Sequence, residues 1–394
     1  MNILFLFDAE AFGGHEITAL AAMEGLADDA RYSVTALHTK RNQHLITALK
    51  ELSRRYTRVR TVFVTVNNCF SESVDALRHG GRTRTIAHAI RSLNPELVVN
   101  VQGFITIGLC ATAACRLLGV PVVSYVPMVH KLWRIRPSVM SFVHDVANRY
   151  WYSCPSAYIT TSERMKIKLT HEHCVDVKKV GVAEYGPNIS TLPAIDKNAA
   201  RAELGWSNGY HVGIVGRIEF VQKRQDFLIR AISKYQKELR GLQFVIVGDG
   251  PNLDDAVQLV HKHNLGEMIR FMEWQSDMWR VYPALDALLL PSRYEGVPLV
   301  MMEAMFYRVP VLASNVDGMR DFLPVECLFR EGCDSDMISK MKKLSTTVTS
   351  ETLDQLAGLV RDRLNTKIFR DSFVREILRI HELLTIKTDS TQVL

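Results

Sequence analysis

The stretch DALLLPSRYEGVPLVMMEAM, residues 286–305, decides the fold because a strand, a loop and a helix follow one another in it. The apolar run at its start is typical of a strand in a parallel sheet that is covered on both faces. Pro298 suits the first position of a helix, where a missing N–H costs nothing. Two glutamates, Glu295 in the loop and Glu303 in the helix, flank an otherwise apolar segment.

Strand-like and helical segments alternate along the rest of the chain. Apolar runs such as NILFLFD, PELVVNVQG, YHVGIVGR, LQFVIVGDG and VPVLAS are separated by helical spacing. The stretch 186–200 is rich in Pro, Asn and Gly and predicts a linker. We therefore predict an α/β protein of two Rossmann-like domains, residues 1–190 and 200–365, that face each other across a cleft. Paired domains of this kind hold their ligand outside the carboxyl ends of the strands.

The composition is that of a folded globular protein. The 394 residues are 47% hydrophobic and 23% charged, which excludes a fully disordered chain. The formal net charge of +6 is too small for a dedicated nucleic-acid binder and suits anionic substrates or an anionic membrane surface. Seven scattered cysteines without a CxxC pair indicate a reduced, cytosolic setting. We expect neither a signal peptide nor a transmembrane helix.

The two glutamates have one functional and one ordinary interpretation. Carboxylates accept hydrogen bonds from paired hydroxyls, and a helix start offers free N–H groups to a phosphate. Glu295 and Glu303 would then hold a sugar nucleotide at two points. In the ordinary interpretation Glu295 stabilises the helix dipole and Glu303 faces water.

Three further segments carry candidate ligand groups. Arg217 and Lys223 lie on a loop between a strand and a helix, where two cations would clamp a diphosphate. Gly248 ends a strand in a tight turn, and Gly13 and Gly14 separate the first strand from the first helix. Glycines let backbone N–H groups approach a ligand closely. Taken alone, the basic loop is more often a solvated turn and the turn at Gly248 is a weak signal. The glycine pair is equally compatible with a simple turn from strand to helix.

Together these segments resemble one enzyme family. The order GG.E, GR…K..D, VIVGDGP and PSRYEGVPLVMMEAM…PVLAS is similar to that of family 4 retaining glycosyltransferases with the GT-B fold. The pair of glutamates separated by seven residues is the most specific part. The resemblance covers most of the second half of the chain, and in the first half it depends on the glycine loop and AYITTSE.

The resemblance implies transfer of a sugar from a nucleotide diphosphate donor to an acceptor hydroxyl, with retention and without a metal or other cofactor. Glu295 would contact hydroxyls of the donor sugar, and Glu303 would hold the ribose. Arg217 and Lys223 would bind the diphosphate and stabilise it as it leaves. The implied catalytic residues are Arg217, Lys223, Glu295 and His130. The implied donor-binding residues are Gly13, Gly14, Gly216, Arg217, Lys223, Gly248, Glu295, Gly296, Val297, Pro298, Leu299 and Glu303.

The sequence departs from the family pattern in two places. The basic loop is one residue longer than the commonest form, and Arg224 follows Lys223, so the diphosphate contact would be shared with Arg224. Relatives carry a histidine near the donor sugar, for which His130 is the candidate and a surface histidine the alternative. The C-terminal helix, within residues 366–394, is expected to pack back on the N-terminal domain.

Other motifs have plainer explanations. The DSD at 334–336 matches a metal-binding motif of another fold but is better explained by helix capping. The HEHC at 171–174 is better explained as a polar loop or helix end. The stretch HKLWRIRPSVMSFVHDVANRYWY, residues 130–152, mixes basic and aromatic residues. It is either a contact with a membrane or a lipid-linked acceptor, or an ordinary helix at the rim of the cleft.

The sequence thus predicts a cytoplasmic enzyme that transfers a hexose-type sugar from a UDP- or GDP-sugar, with peripheral contact to the inner face of the membrane left as an open alternative. Its acceptor would be a glycan, a glycolipid or a small molecule, in surface polysaccharide or lipopolysaccharide biosynthesis, and no nucleic acid is expected as a partner. One alternative is transfer to a soluble small molecule. Another is a non-catalytic protein that binds nucleotide sugars.

Overall fold

The computed structural model describes residues 1–8, 12–66, 68–274 and 277–391. The chain divides into two compact units, one of Met1–Tyr185 with Thr366–Leu394 and the other of Gly186–Asn365. Residues 392–394, which the predicted C-terminal helical segment included, lie outside the described part. Among the described helices, none is both long and apolar enough to cross a bilayer.

The first unit contains a parallel seven-stranded sheet. Its strands are β1 (Asn2–Phe7), β2 (Ser33–His38), β3 (Val59–Phe63), β4 (Leu97–Val101), β5 (Val122–Tyr125), β6 (Ala157–Thr160) and β7 (Val180–Val182). The strand order is β3-β2-β1-β4-β5-β6-β7, and every neighbouring pair is parallel. Residues 3–7 of β1 are at most 3% exposed, as expected for a central strand covered on both faces.

Ten helices of the first unit surround this sheet in the described residues. They are α1 (Gly14–Ala27), α2 (Gln43–Arg55), α3 (Glu72–Arg78), α4 (Gly81–Leu93), α5 (Leu109–Leu118), α6 (Leu132–Ile135), α7 (Val139–Ala147), α8 (Arg149–Ser153), α9 (Glu163–Glu172) and, after the second unit, α17 (Thr366–Thr391).

The second unit contains a parallel six-stranded sheet. Its strands are β8 (Tyr210–Val215), β9 (Leu242–Val247), β10 (Ile269–Met272), β11 (Ala287–Leu290), β12 (Val311–Ser314) and β13 (Leu328–Phe329), in the order β10-β9-β8-β11-β12-β13. Its helices are α10 (Lys197–Glu203), α11 (Gln225–Lys234), α12 (Leu253–Lys262), α13 (Leu299–Phe306), α14 (Met319–Phe322), α15 (Asp334–Thr347) and α16 (Ser350–Asp362). The prediction of two α/β domains is confirmed.

The C-terminal helix α17 contributes to the core of the first unit. Phe369 and Phe373 are fully buried, and the Phe373 ring lies 6.2 Å from that of Phe5 and 5.5 Å from that of Tyr125. The segment from Thr366 therefore supplies aromatic side chains to the sheet that the N-terminal residues build.

The stretch SVDALRHGGRTRTIAHAIRSL, residues 73–93, has helical spacing throughout but is divided between two helices, α3 and α4. His79 between them is left-handed, with φ of 47°. The carboxylate of Asp75 accepts hydrogen bonds from the amide and the hydroxyl of Thr83, at 2.9 and 2.8 Å, in the first turn of α4. A Cβ on Gly80 would lie 2.4 Å from that carboxylate, so the break depends on glycine.

Candidate active site

The order of strands in the second unit reverses between β8 and β11. From β8 the chain continues to β9 on one side, and from β11 it continues to β12 on the other. Parallel sheets hold ligands at such a point, outside the carboxyl ends of the strands. Gly216 directly follows β8, and Glu295 lies in the loop after β11. The sequence candidates of this unit therefore meet at the position that the topology favours.

Lys223 and Glu295 form an ion pair at this point. The Lys223 Nζ lies 2.6 Å from the Glu295 Oε1, and Glu295 is only 5% exposed. Gln222 donates its amide to the other carboxylate oxygen at 3.3 Å, and the backbone N–H of Glu295 donates to Asp317 at 2.9 Å. The carboxylate is thus held by a charge and an amide, as a buried acid requires.

The turn that carries Lys223 is held by backbone contacts. The N–H of Lys223 donates to the carbonyl of Glu219 at 2.9 Å, and the carboxylate of Glu219 accepts from the amides of Val221 and Gln222. The N–H of Arg293 donates to the carbonyl of Gln222 at 2.8 Å, which joins this turn to the loop of Glu295. The cation and the acid are therefore positioned by contacts within the second unit.

The two arginines of the basic loop differ in availability. Arg217 is exposed, and its guanidinium makes no hydrogen bond or ion pair with another residue of the described chain. Arg224 is left-handed, with φ of 59°, and its guanidinium lies 3.4 Å from Glu331 and 5.1 Å from the Phe227 ring centroid. A diphosphate contact shared with Arg224 stays a prediction, and it would compete with these two contacts. Among the described residues, the guanidinium of Arg217 has no such competing contact and is available to a ligand.

The glycine turns after β8 and β9 touch through their backbones. Gly216 and Gly248 have φ of 138° and 144°, which side chains rarely adopt. A Cβ on Gly248 would lie 2.1 Å from the carbonyl oxygen of Gly216. These glycines bring two stretches of bare backbone to the strand ends beside Lys223.

Replacing Gly248 by alanine is expected to lower the free energy of unfolding by about 2–4 kcal/mol, because it combines an unfavourable φ with a clash against backbone. The matched control is Gly241→Ala, since Gly241 also has a positive φ, of 87°, but faces open space. The control should cost about 1 kcal/mol. Urea unfolding of both variants measures the difference, and equal losses would contradict the proposed clash.

Helix α13 begins one residue later than predicted. Pro298 has an extended ψ of 125° and is the N-cap, so Leu299 is the first helical residue. The first amide to donate within the helix is that of Met301, at 3.1 Å to the carbonyl of Pro298. The amides of Leu299 and Val300 precede it and point out of the helix start, where an anion would be stabilised.

Glu303 is half-buried on α13, so it does not simply face water. The buried hydroxyl of Tyr282 donates to its Oε2 at 2.5 Å. Burial raises the pKa of Glu303, and the hydrogen bond from Tyr282 partly opposes that rise. One oxygen is therefore held by the protein, which fixes the direction in which the other can accept a hydrogen bond.

The loop between the two glutamates is tightly packed. The N–H of Gly318 donates to the carbonyl of Gly296 at 3.1 Å, and a Cβ on Gly318 would lie 2.3 Å from that oxygen. Val297 is half-buried and Pro298 is buried. The separation between Glu295 and Glu303 is thus set by a rigid loop and the first turn of α13.

The remaining candidates belong to the first unit. Gly13 is the N-cap of α1, and its N–H already donates to the carboxylate of Glu16 at 2.7 Å. Gly14 is the first residue of that helix. His130 follows β5, is 5% exposed and stacks on Phe104 with ring centroids 6.3 Å apart, so it is not a surface histidine. The roles assigned to these three residues stay predictions.

Three contributors to the site were missed by sequence reasoning. Gln222 and Asp317 hold Glu295, and Tyr282 holds Glu303. Gln222 adjoins Lys223, which is a weak signal. Tyr282 lies in a short helical turn 21 residues before Glu303, and nothing in its neighbourhood predicts the contact.

The two metal-like motifs have structural partners. Asp334 pairs with Lys234 at 2.8 Å, and Asp336 accepts from the backbone N–H of Arg330 at 2.7 Å in the first turn of α15. His173 is buried and bonds to the carbonyl of Val129. In the described ranges, no group of three or more His, Cys, Asp or Glu is placed to hold a metal ion.

Comparisons with known proteins agree on one class. The family model described as glycosyl transferases group 1 matches residues 209–347. The UDP-Gal:alpha-D-GlcNAc-diphosphoundecaprenol alpha-1,3-galactosyltransferase of Escherichia coli is 25% identical over 286 residues, which is 70% of this chain and 72% of that enzyme. The D-inositol 3-phosphate glycosyltransferase of Mycobacterium sp. (strain KMS) is 33% identical over 170 residues, 41% of this chain and only 37% of that enzyme.

A solved structure extends the likeness to nearly the whole fold. Anabaena HepE, crystallised with UDP-glucose, superimposes with a TM-score of 0.76 and 17% identity, covering 96% of this chain and 99% of HepE. At this identity the likeness establishes the fold and leaves the ligand open.

Proposed function

Because this chain is a GT-B glycosyltransferase whose residues 209–347 match the group 1 family, we propose that it transfers a hexose from a UDP- or GDP-sugar to an acceptor hydroxyl, with retention. The family, fold class and enzymatic nature predicted from the sequence are confirmed. The single observation that carries the proposal is the ion pair of Lys223 with the buried Glu295. It lies after the carboxyl ends of β8 and β11, where the strand order reverses.

The pair suits the chemistry of the reaction. Breaking the bond between the sugar and the phosphate places negative charge on the departing diphosphate. Lys223 and Arg217 are cations, and the first amides of α13 are hydrogen-bond donors. All of these groups would stabilise this charge. Glu295 orients Lys223, and its carboxylate would accept hydrogen bonds from the donor sugar.

Glu303 would hold the nucleoside. Tyr282 occupies one of its carboxylate oxygens, and the other would accept from the ribose hydroxyls. The bare backbone at Gly216 and Gly248 would lie along the diphosphate. No metal is required in this scheme because the cations are supplied by side chains.

We further propose a lipid-linked acceptor in surface polysaccharide biosynthesis, at the cytoplasmic side of the membrane. The support is the Escherichia coli relative, whose name states that it acts on a diphosphoundecaprenol. The seven free cysteines suit a reducing compartment. Transfer to a soluble small molecule is the alternative, and a test with both acceptor classes separates the two.

Glu303→Ala is expected to weaken the binding of UDP or GDP about 10- to 100-fold, because it removes charge-assisted hydrogen bonds to the ribose. Calorimetric titration of the purified chain with each nucleotide measures this loss. Glu351→Ala is the matched control, since Glu351 is exposed in the first turn of α16, and it should bind as the parent does. Unchanged affinity in Glu303→Ala would sink the assigned role.

The binding of the nucleotide should also depend on pH through Glu303. Its pKa is raised by burial, so the group takes up a proton at a higher pH than an exposed glutamate does. The protonated form accepts fewer hydrogen bonds, and affinity should therefore fall as the pH is lowered through the raised pKa. Glu303→Gln should lack this component. Parallel pH profiles of both proteins cancel the titration of the phosphate itself, and identical profiles would contradict the assignment.

A further inference from the structure

Helix α7 of the first unit is turned with its apolar side outward. Five of its apolar side chains are between 51% and 81% exposed: Val139, Met140, Phe142, Val143 and Val146. Its inward residues Ser141 and Asp145 are polar and buried. Amphipathic helices of globular proteins normally show the reverse arrangement. Single exposed apolar residues are common, whereas a contiguous apolar face marks an interaction site.

Polar contacts hold the helix in this orientation. The carboxylate of Asp145 accepts from the backbone N–H groups of Leu132 and Trp133, each at 3.0 Å, and so caps α6. The fully buried Asn148 at the end of α7 accepts from the hydroxyl of Ser73 at 2.7 Å. Rotating α7 to bury its apolar face would break these contacts, so its exposure is built into the fold.

The neighbouring helix α3 also exposes apolar side chains. Ser73 lies on α3, and its bond to Asn148 brings the two helices together. Val74 and Leu77, on the same helix, are 49% and 67% exposed. We call α7's five exposed residues, with these two, the α7 face.

The charges in the stretch that carries α7 are mostly of one sign. Within residues 131–150 the cations are Lys131, Arg134, Arg136 and Arg149. The single acid in this stretch is Asp145, which is buried and caps α6. Arg134 forms an ion pair with Glu172 at 3.0 Å, while Arg136 is exposed. An apolar helix face with a cationic rim is the composition that lies in the interface of an anionic bilayer.

We propose that the α7 face inserts into the interfacial region of an anionic lipid bilayer. A second copy of the chain is a poorer occupant, since a symmetric contact would set the same basic rims against each other. The inference deepens the proposed function. It rests on that function only where it takes the acceptor to be lipid-linked. It favours the first of the two alternatives that the sequence left open for residues 130–152, contact with a membrane or a lipid-linked acceptor.

The test is sedimentation of the purified full chain with vesicles of phosphatidylcholine alone or with about 30% phosphatidylglycerol. The double variant Phe142→Asp/Val143→Asp should bind the anionic vesicles at least about tenfold more weakly than the parent. Arg136→Glu should lose about tenfold at low salt, and little of that loss should remain at about 0.5 M salt. Val325→Asp, at a site 75% exposed in the second unit, is the matched control and should bind as the parent does.

Three results would overturn the proposal: no binding of the parent to anionic vesicles, equal binding by the double variant, or a parent dimer that the double variant disperses. Circular dichroism checks that the variants are folded. Titration with UDP or GDP separates this test from that of the proposed function. Nucleotide binding retained in a double variant that no longer binds vesicles supports both proposals, and vesicle binding without nucleotide binding sinks only the proposed function.

Discussion

Replacing Lys223 by methionine is expected to lower kcat/KM by about 10²–10³, because the variant keeps an unbranched side chain of similar length and removes the cation that we propose stabilises the departing diphosphate. Most of the loss should be in kcat, since the charge on the diphosphate grows in the transition state. Steady-state release of nucleotide diphosphate measures it. The neutral variant also leaves Glu295 buried without its partner, so thermal unfolding must be measured in parallel.

Lys234→Met is the matched control for this experiment. Lys234 lies on α11 and pairs at 2.8 Å with Asp334, away from the strand ends. Its removal should change kcat/KM by less than about twofold, as surface ion pairs contribute little. A Lys223→Met variant that is folded and as active as this control would remove Lys223 from the mechanism.

Glu295→Gln is expected to lower kcat by about 10², since it removes the carboxylate that orients Lys223 and would accept from the sugar hydroxyls. The amide is of nearly equal size, so the loop between β11 and α13 should keep its shape. The double variant with Lys223→Met should lose less than the product of the two single losses, because the residues act through one contact.

The matched control for Glu295 is Glu331→Gln. Glu331 also accepts from a cation of the basic loop, Arg224 at 3.4 Å, but its side chain is 35% exposed. We expect kcat within about twofold of the parent for this variant. Fully multiplicative losses in the double variant, or a control as impaired as Glu295→Gln, would show that the ion pair is not the functional unit.

Much of the architecture could be predicted because buried parallel strands have short apolar runs as their sequences. The apolar run at 287–290, which forms β11, is one example. The helix that follows it, α13 from Leu299, was predicted from its proline and its apolar residues. The charged residues of the candidate site could also be predicted. Lys223 lies in the loop between β8 and α11, and Glu295 lies in the loop between β11 and α13. What the sequence could indicate was therefore local: an element, its boundary within a residue or two, and a reactive side chain at its end.

Long-range partners could not be predicted in the same way. Gln222 bonds to Glu295, 73 positions away, and Tyr282 reaches Glu303 from a separate turn. Such contacts depend on which loops the sheet order brings together, and that order is not visible in periodicity. The start of α13 was misplaced because proline suits both the N-cap and the first helical position, and only the ψ of Pro298 distinguishes them.

The orientation of α7 shows a further limit. Its apolar spacing indicates an amphipathic helix whichever face is buried. The outward turn follows from Asp145 and Asn148, whose partners lie on α6 and α3. A polar residue in a helical pattern does not reveal that it is the buried one until its partner is known.

We propose that the ion pair of Lys223 and Glu295, at the strand ends of the second unit, supports transfer from a nucleotide diphosphate sugar. The most direct measurement is release of nucleotide diphosphate from a panel of UDP- and GDP-hexoses, with lipid-linked and soluble acceptors supplied in separate reactions. We expect the parent to release nucleotide diphosphate from at least one donor, faster when an acceptor is present, and Lys223→Met to release it about 10²–10³ times more slowly. No release from any donor, or equal release by the folded Lys223→Met variant, would contradict it.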